Sequence, residues 1–228
     1  MPGRSGARSG RDITERIWGR RSHYAPTIPA QLDDAQLVAS AQSGDRNALD
    51  HLLRNHYDRI HAICRRIAGA TRDGDDATQE ALIKIVRNLP RFDGRSSFGT
   101  WSYRIATNAA LDELRKRDRR PALHVVGTDA PNEPTDRGAV ERIDAVAERA
   151  AIDEALLEIP PDYRSAVVLR DVADLDYPEI AEILEIPVGT VKSRIARGRR
   201  ALADRLRERG NPDSGNRTGP SERPSEPT

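Results

Sequence analysis

The 228-residue sequence holds one cysteine, Cys64, one methionine and two phenylalanines, and aromatic side chains make up only 4% of it. A single cysteine excludes an internal disulfide and any zinc site built from several thiolates, and it fits a reducing compartment. No apolar run reaches the length of about 20 residues that a membrane-spanning helix needs. The first 30 residues are basic (Arg4, Arg8, Arg11, Arg16, Arg20, Arg21) but lack the apolar stretch of a secretory signal, so the protein is expected in the cytoplasm. His23, His51, His56, His61 and His124 form no metal-ligand spacing with acidic or cysteine partners, and there is no nucleotide-binding glycine loop and no nucleophile–base pattern. These absences point away from an enzyme, and neither a metal nor a cofactor is expected.

What is present is charge, 32% of the residues, sorted by region behind a formal net charge of only +1. Residues 188–209 carry Lys192, Arg194, Arg197, Arg199, Arg200, Arg205, Arg207 and Arg209 against Asp204 and Glu208 alone, a balance suited to a polyanionic partner. The stretch from Pro131 to Glu158 is acidic instead, and a solvated helix face explains it.

Apolar periodicity predicts an all-helical protein of two small domains joined by a flexible linker. Residues 1–31, rich in Gly, Ser, Arg and Pro, bury too little apolar surface to fold and are expected to be disordered, as are residues 210–228. The first domain is expected over 32–121. Asp33 and Asp34 offer caps to a short helix with Leu37, Val38 and Ala41, and a longer helix follows, with Leu49, Leu52, Leu53, Tyr57, Ile60, Ile63, Cys64 and Ile67 at three- and four-residue steps. After a polar break at Thr71 to Gly74, a third helix is expected to open at Asp75, with Leu82, Ile85, Val86 and Leu89 on its core face, and to end at Pro90. A fourth places Phe98, Trp101 and Ile105 on one face and runs to a basic end at Arg120.

Residues 122–138 lack periodicity and are interrupted by Gly127, Pro131, Pro134 and Gly138, so this linker should let the domains reorient. In the second domain, 139–209, Val140, Ile143, Val146, Ala150, Leu156 and Leu157 mark a helix ending at Pro160-Pro161, and Asp162 is the expected cap of another. Tyr177 to Leu184 reads as a short helix and Glu185-Ile186-Pro187 as a break. Val188-Gly189-Thr190 then opens a helix with Val191, Ile195, Leu202 and Leu206 on one side and Thr190, Ser193, Arg194, Arg197 and Arg200 on another. Two such helices, the second basic, suit insertion into the major groove, where Lys and Arg reach guanine edges and phosphates. A solvated basic face would more often mix signs for i to i+4 pairing.

The run Tyr177 to Leu184 followed by Ile186-Pro187-Val188-Gly189-Thr190-Val191-Lys192-Ser193-Arg194 closely resembles region four of extracytoplasmic-function RNA polymerase sigma factors. Independently, Asp73-Gly74-Asp75-Asp76-Ala77-Thr78-Gln79-Glu80 resembles their core-binding helix, and Phe92 to Asn108 their promoter-melting segment. The resemblance spans roughly residues 32–209. Two positions depart from it: Asp174 and Glu185 stand where the family usually has glycine, at bends where a left-handed backbone is convenient.

The resemblance implies a non-catalytic subunit that binds core RNA polymerase, captures the −35 element through region four and melts the −10 element through region two. It also brings the expectation of a stress or envelope response and of an anti-sigma partner. Asp73, Asp76, Gln79 and Glu80 are then the core-polymerase candidates, although Asp76 and Glu80 also read as charge complementing a helix N-terminus. For −10 DNA the candidates are Arg95, Ser96, Ser97, Arg104 and Asn108, with Arg115, Lys116 and Arg117 on phosphates. Phe98 and Trp101 belong with the core rather than with a stacking platform. For −35 DNA they are Thr190, Lys192, Ser193, Arg194, Arg197 and Arg200. A stand-alone helix-turn-helix regulator is the alternative, and it leaves the first domain without a task.

Overall fold

The computed structural model describes residues 33–69, 72–119 and 150–210. Among them there are helices, turns and no strand. The expected linker 122–138, the tails 1–31 and 211–228, and Val140, Ile143 and Val146 lie outside the described residues.

The first unit is built from α1 (Asp34–Gln42), α2 (Arg46–Ala68), α3 (Arg72–Asn88) and α4 (Phe98–Arg119), with a 3-10 turn at Leu89–Arg91 holding Pro90. Asp45 caps α2 by accepting from the amides of Asn47 and Ala48 at 2.8 and 3.2 Å. Leu52, Ile60, Ile63, Cys64 and Ile67 are fully buried along its stripe, each large aliphatic side chain contributing about 1.5–3 kcal/mol of transfer free energy. They meet Ala77, Ala81 and Ile85 of α3 and Phe98, Ala106 and Ala110 of α4 in a shared core. Gln42 at the end of α1 donates to the carbonyls of Leu89 and Phe92, at 2.9 and 2.8 Å, tying the loop before α4 to the bundle.

Local expectations fail here where tertiary packing overrides pattern. Asp33 precedes α1 without a side-chain capping bond. Helix α3 opens at Arg72, through the expected polar break, because Gly74 lets it press against the end of α2: a Cβ there would stand 2.2 Å from the Gly69 carbonyl oxygen. Val86 and Tyr57, assigned to core faces by spacing, are 40% and 43% exposed. Ala77 and Ala81 are the buried residues of α3 instead, at 1% and 0% exposure, and Val86 lies outside the core.

The second unit comprises the helical residues 150–157 (α5), α6 (Pro161–Asp171), α7 (Tyr177–Leu184) and α8 (Val188–Gly210). Pro160 rather than Asp162 occupies the cap of α6, Pro161 taking the first turn, where a missing amide proton is harmless. Val167, Val168, Leu169, Ile180, Val191, Ile195 and Leu202 are buried between α6, α7 and α8, and Leu206 is half-buried. Gly198 sets the closeness of α8 to α6, since a Cβ there would lie 2.6 Å from Val167 Cγ2 and 3.0 Å from the Tyr163 carbonyl oxygen.

Candidate nucleic-acid interface

Helices α7 and α8 make a helix-turn-helix whose geometry is fixed at three points. A reciprocal capping box starts α7: the Glu179 amide donates to Asp176 Oδ1 at 2.8 Å, and the Asp176 amide donates to Glu179 Oε2 at 2.9 Å. Glu185 ends α7 in the left-handed region, φ 54° and ψ 44°, and Asp174 takes φ 56° before α7. The two residues standing where glycine is usual therefore keep the glycine-like backbone, at about 1–2 kcal/mol each. Arg199 of α8 grips Asp171 of α6 with both nitrogens of its fork, Nε to Oδ2 at 3.1 Å, and the Asp171 side chain is 4% exposed.

This clamp leaves Lys192, Ser193, Arg197 and Arg200 on the exposed side of α8, with Thr190 half-buried. Lys192 lies over the Tyr177 ring, 5.6 Å from its centroid, and Arg170 over the same ring at 5.3 Å. Arg194 is half-buried and pairs with Asp162 at 2.8 Å, and Arg197 reaches the Tyr163 hydroxyl at 3.4 Å. Among the described residues, Lys192, Arg197 and Arg200 have no ion-pair partner.

The candidates on the first unit divide into two groups. Arg104 and Asn108 sit one turn apart on α4, Asn108 exposed, while Arg95 pairs with Asp93 at 3.0 Å in the preceding loop beside half-buried Ser96. Ser97 is engaged structurally: its Oγ accepts the Thr100 amide at 2.9 Å and shares a hydrogen bond with the Thr100 hydroxyl at 2.8 Å, capping α4. Phe98 is buried and, with Phe92 and half-buried Trp101, forms a ring cluster with centroids 4.9–6.1 Å apart.

The basic end of α4 points elsewhere. Arg115 pairs with Asp112 at 2.8 Å, Lys116 with Glu113 at 2.9 Å, and Arg117 lies 3.9 Å from Asp73 and 3.4 Å from the Ala68 carbonyl oxygen. Lys116 thereby joins Asp76, Gln79, Glu80, Ile83 and Glu113 around a shallow open hollow of about 250 Å³. Asp76, Gln79 and Glu80 are exposed, and Ile83 and Val86 are 38% and 40% exposed along the same helix. The hollow thus has an acidic rim, one ammonium and an apolar flank.

Two residues that spacing did not single out hold these surfaces. His56 bonds Asp34 Oδ2 at 2.8 Å and the Tyr103 hydroxyl at 3.1 Å, linking α1, α2 and α4; its place between Leu52 and Ile60 on one stripe is the signal for it. Arg164 is 3% exposed, and its guanidinium donates to the carbonyls of Ile67, Leu157 and Ile159 at 2.5, 2.8 and 3.0 Å. Burial lowers its pKa to about 10, so it stays charged at neutral pH. Among the described residues no group of acidic, His and Cys side chains is arranged to hold a metal, and no helix is long and apolar enough to cross a membrane.

An all-helical bundle bearing an acid-rimmed hollow, followed by a helix-turn-helix with an exposed cationic face, defines a DNA-reading protein of two helical units. Residues 52–120 match the family Sigma-70 region 2, and residues 149–202 match Sigma-70, region 4. The chain is 37% identical over 178 residues to the ECF RNA polymerase sigma factor SigW of Bacillus subtilis, covering 75% of this chain and 95% of that one. It is 36% identical over 184 residues to the ECF RNA polymerase sigma-E factor of Escherichia coli K12, covering 77% and 95%. The fold is shared with CnrH, solved with the cytosolic domain of CnrY (TM-score 0.56, 24% identity, 79% of this chain and 99% of that one). It is shared too with RpoE from Bartonella quintana, solved with the anti-sigma factor NepR (TM-score 0.54, 22% identity, 70% and 96%).

The chain belongs to the extracytoplasmic-function RNA polymerase sigma factors. It is a promoter-directing subunit that binds core RNA polymerase and promoter DNA, and the first unit has the task that a stand-alone regulator would deny it.

Proposed function

We propose that the sigma activity is divided among three surfaces. The hollow of α3, with Asp76, Gln79, Glu80 and flanking Asp73, docks on a basic surface of the polymerase, and Ile83 supplies apolar contact. The α4 face with Arg104 and Asn108, and the loop with Arg95, Ser96 and Ser97, handle the −10 element; the donor and acceptor of Asn108 suit the edge of an extruded base. The exposed side of α8, with Thr190, Lys192, Ser193, Arg194, Arg197 and Arg200, reads the −35 element, and Arg170 extends its cationic surface beside Tyr177.

The observation carrying this division is that Lys192, Arg197 and Arg200 stand exposed, with no ion-pair partner among the described residues, on a helix locked to its neighbour by Arg199 and Asp171. Of the phosphate candidates on α4, Lys116 lines the hollow and Arg117 lies beside Asp73 of α3, which leaves Arg115, paired with Asp112 on its own helix, for phosphate. We keep domain limits of 32–121 and 139–209, a non-enzymatic role and a cytoplasmic location as part of this reading; membership of the sigma factor family supports the last two. An anti-sigma factor and a stress or envelope signal come from the family. Promoter-specific run-off transcription tests the reading: core polymerase gains specific initiation with this chain and loses it with Asp76→Lys and Glu80→Lys together, whereas full initiation by the double variant removes the hollow from the interface.

A further inference from the structure

The loop between α3 and α4 is anchored at both ends, and its tip is shaped from within. At the far end the Ser97 hydroxyl accepts the Thr100 amide at 2.9 Å, which fixes the entry to α4. At the near end the Phe92 ring packs against Phe98 and Trp101, with centroids 6.1 and 4.9 Å away. In the tip, Asp93 accepts the Arg95 amide at 3.2 Å and meets its guanidinium at 3.0 Å, with Gly94 in the left-handed region at φ 72°. That turn gives the tip a shape but no direction, because both of its partners move with the loop.

Direction comes from another helix. Gln42, the last residue of α1, donates from its single carboxamide nitrogen to the Leu89 carbonyl at 2.9 Å and to the Phe92 carbonyl at 2.8 Å. The planar amide has two donors at a fixed angle, so bridging two carbonyls three residues apart sets the orientation of the Leu89–Arg91 turn as well as its place. The Leu89 carbonyl also accepts the Phe92 amide at 3.0 Å, closing the same turn. Helix α1 is a firm mount for this side chain: Leu37 and Val38 are buried, and Asp34 at its other end bonds His56, which in turn bonds Tyr103 of α4. Gln42 itself is exposed, so each bond competes with water and adds little to overall stability. Two such bonds from a fixed mount to one turn serve aim better than they serve stability.

We propose that Gln42 is a positioning residue for −10 recognition, holding the loop tip, residues 93–96, at one setting relative to α4 and acting through the loop rather than by touching DNA. The proposal rests on the reading of this loop as part of the −10 surface. Its consequence is selectivity. Polar groups tell one base from another only when they are held in place before the base arrives, and supporting hydrogen bonds do the holding. A tip that wanders still meets the strand, but it meets right and wrong bases more nearly alike.

The test compares the full chain with Gln42→Glu, which keeps the shape and removes both donors, and with Gln36→Glu, the same change at an exposed position of the same helix. Hydrogen exchange of the free proteins reads the loop. Amides of residues 93–97 are expected to exchange about fivefold faster in Gln42→Glu and at the unchanged rate in Gln36→Glu; equal protection in Gln42→Glu and the unchanged protein overturns the positioning role. Holoenzyme made with each chain then transcribes a pool of barcoded templates, randomised first over the −35 and then over the −10 element, and sequenced barcodes give the base preference at each position. Arg95→Ala/Ser96→Ala marks the −10 positions that the loop reads. Gln42→Glu is expected to flatten the preference at those positions by about fivefold, with the −35 preference and core binding intact. An unaltered −10 preference, or a uniform fall in output over all −10 sequences, overturns the proposal. If Arg95→Ala/Ser96→Ala flattens no −10 position, the reading of the loop falls and takes the promoter role of Gln42 with it, while the exchange rates still decide whether Gln42 holds the loop.

Discussion

The two candidate DNA surfaces treat their cations in opposite ways. In the first, Arg95, Arg115, Lys116 and Arg117 each lie beside an aspartate or glutamate of the same unit, and Arg104 beside Glu182 of the other. In the second, Arg194 and, further along or behind the helix, Arg199, Arg205, Arg207 and Arg209 are paired, but Lys192, Arg197 and Arg200 have no ion-pair partner among the described residues. A surface that captures closed duplex must present charge before contact, because counterion release supplies much of the affinity. A surface that acts on DNA already delivered can keep its cations paired until the strand displaces the carboxylates.

The sharpest way to break this comparison is at α3. Asp76→Lys with Glu80→Lys is expected to abolish core-polymerase binding in a pull-down while circular dichroism stays helical, since both side chains are exposed. Next comes the clamp that holds the second unit's cations outward. Arg199→Met leaves the carboxylate of Asp171, 4% exposed, without its partner and is expected to lower stability by about 3 kcal/mol in chemical denaturation, with −35 duplex binding lost in step. The packing glycines give a paired test. Gly198→Ala should cost about 1–3 kcal/mol by forcing Val167 and the Tyr163 backbone aside, and Gly74→Ala at least as much, because its obstacle is a backbone oxygen rather than a movable methyl.

Smaller effects sharpen the contrast. Lys192→Ala or Arg197→Ala should weaken −35 duplex binding by roughly 1–3 kcal/mol where the side chain meets a base, or lower the salt slope by about 1 where it meets phosphate; scrambled and specific duplexes separate the cases. Smallest is the buried thiol. Burial pushes Cys64 from an ordinary value of 9.0 up to about 12, so the unfolded chain loses that proton first as pH rises. Stability from this group is therefore full below about pH 9 and declines from there toward pH 12. A thiol reagent at pH 8 should label Cys64 only after denaturant is added.

The sequence made the helices legible where one stripe decides burial: Leu52, Ile60, Ile63 and Ile67, or Val191, Ile195 and Leu202, follow the helical period and are buried. It misled where close helix approach selects small residues. Spacing alone ranks Val86 above Ala77 and Ala81, yet the alanines are buried in the core and Val86 is 40% exposed. The cationic face of α8 was visible because it depends on a single helix. The union of Lys116 with Glu80 and Glu113 was not, since it joins residues some 36 positions apart through the crossing of α3 and α4. Arg164 was hidden for another reason: its partners are backbone carbonyls, which leave no trace in side-chain pattern.

The central claim, that the α4 face opens the promoter while α8 finds it, is tested most directly by permanganate footprinting of −10 thymines on a promoter selected by the holoenzyme. At equal promoter occupancy, Asn108→Ala is expected to show weak thymine reactivity that a pre-melted −10 bubble restores in part, whereas Lys192→Ala shows normal reactivity once its occupancy is matched. Wild-type thymine reactivity in Asn108→Ala at equal occupancy would contradict the account.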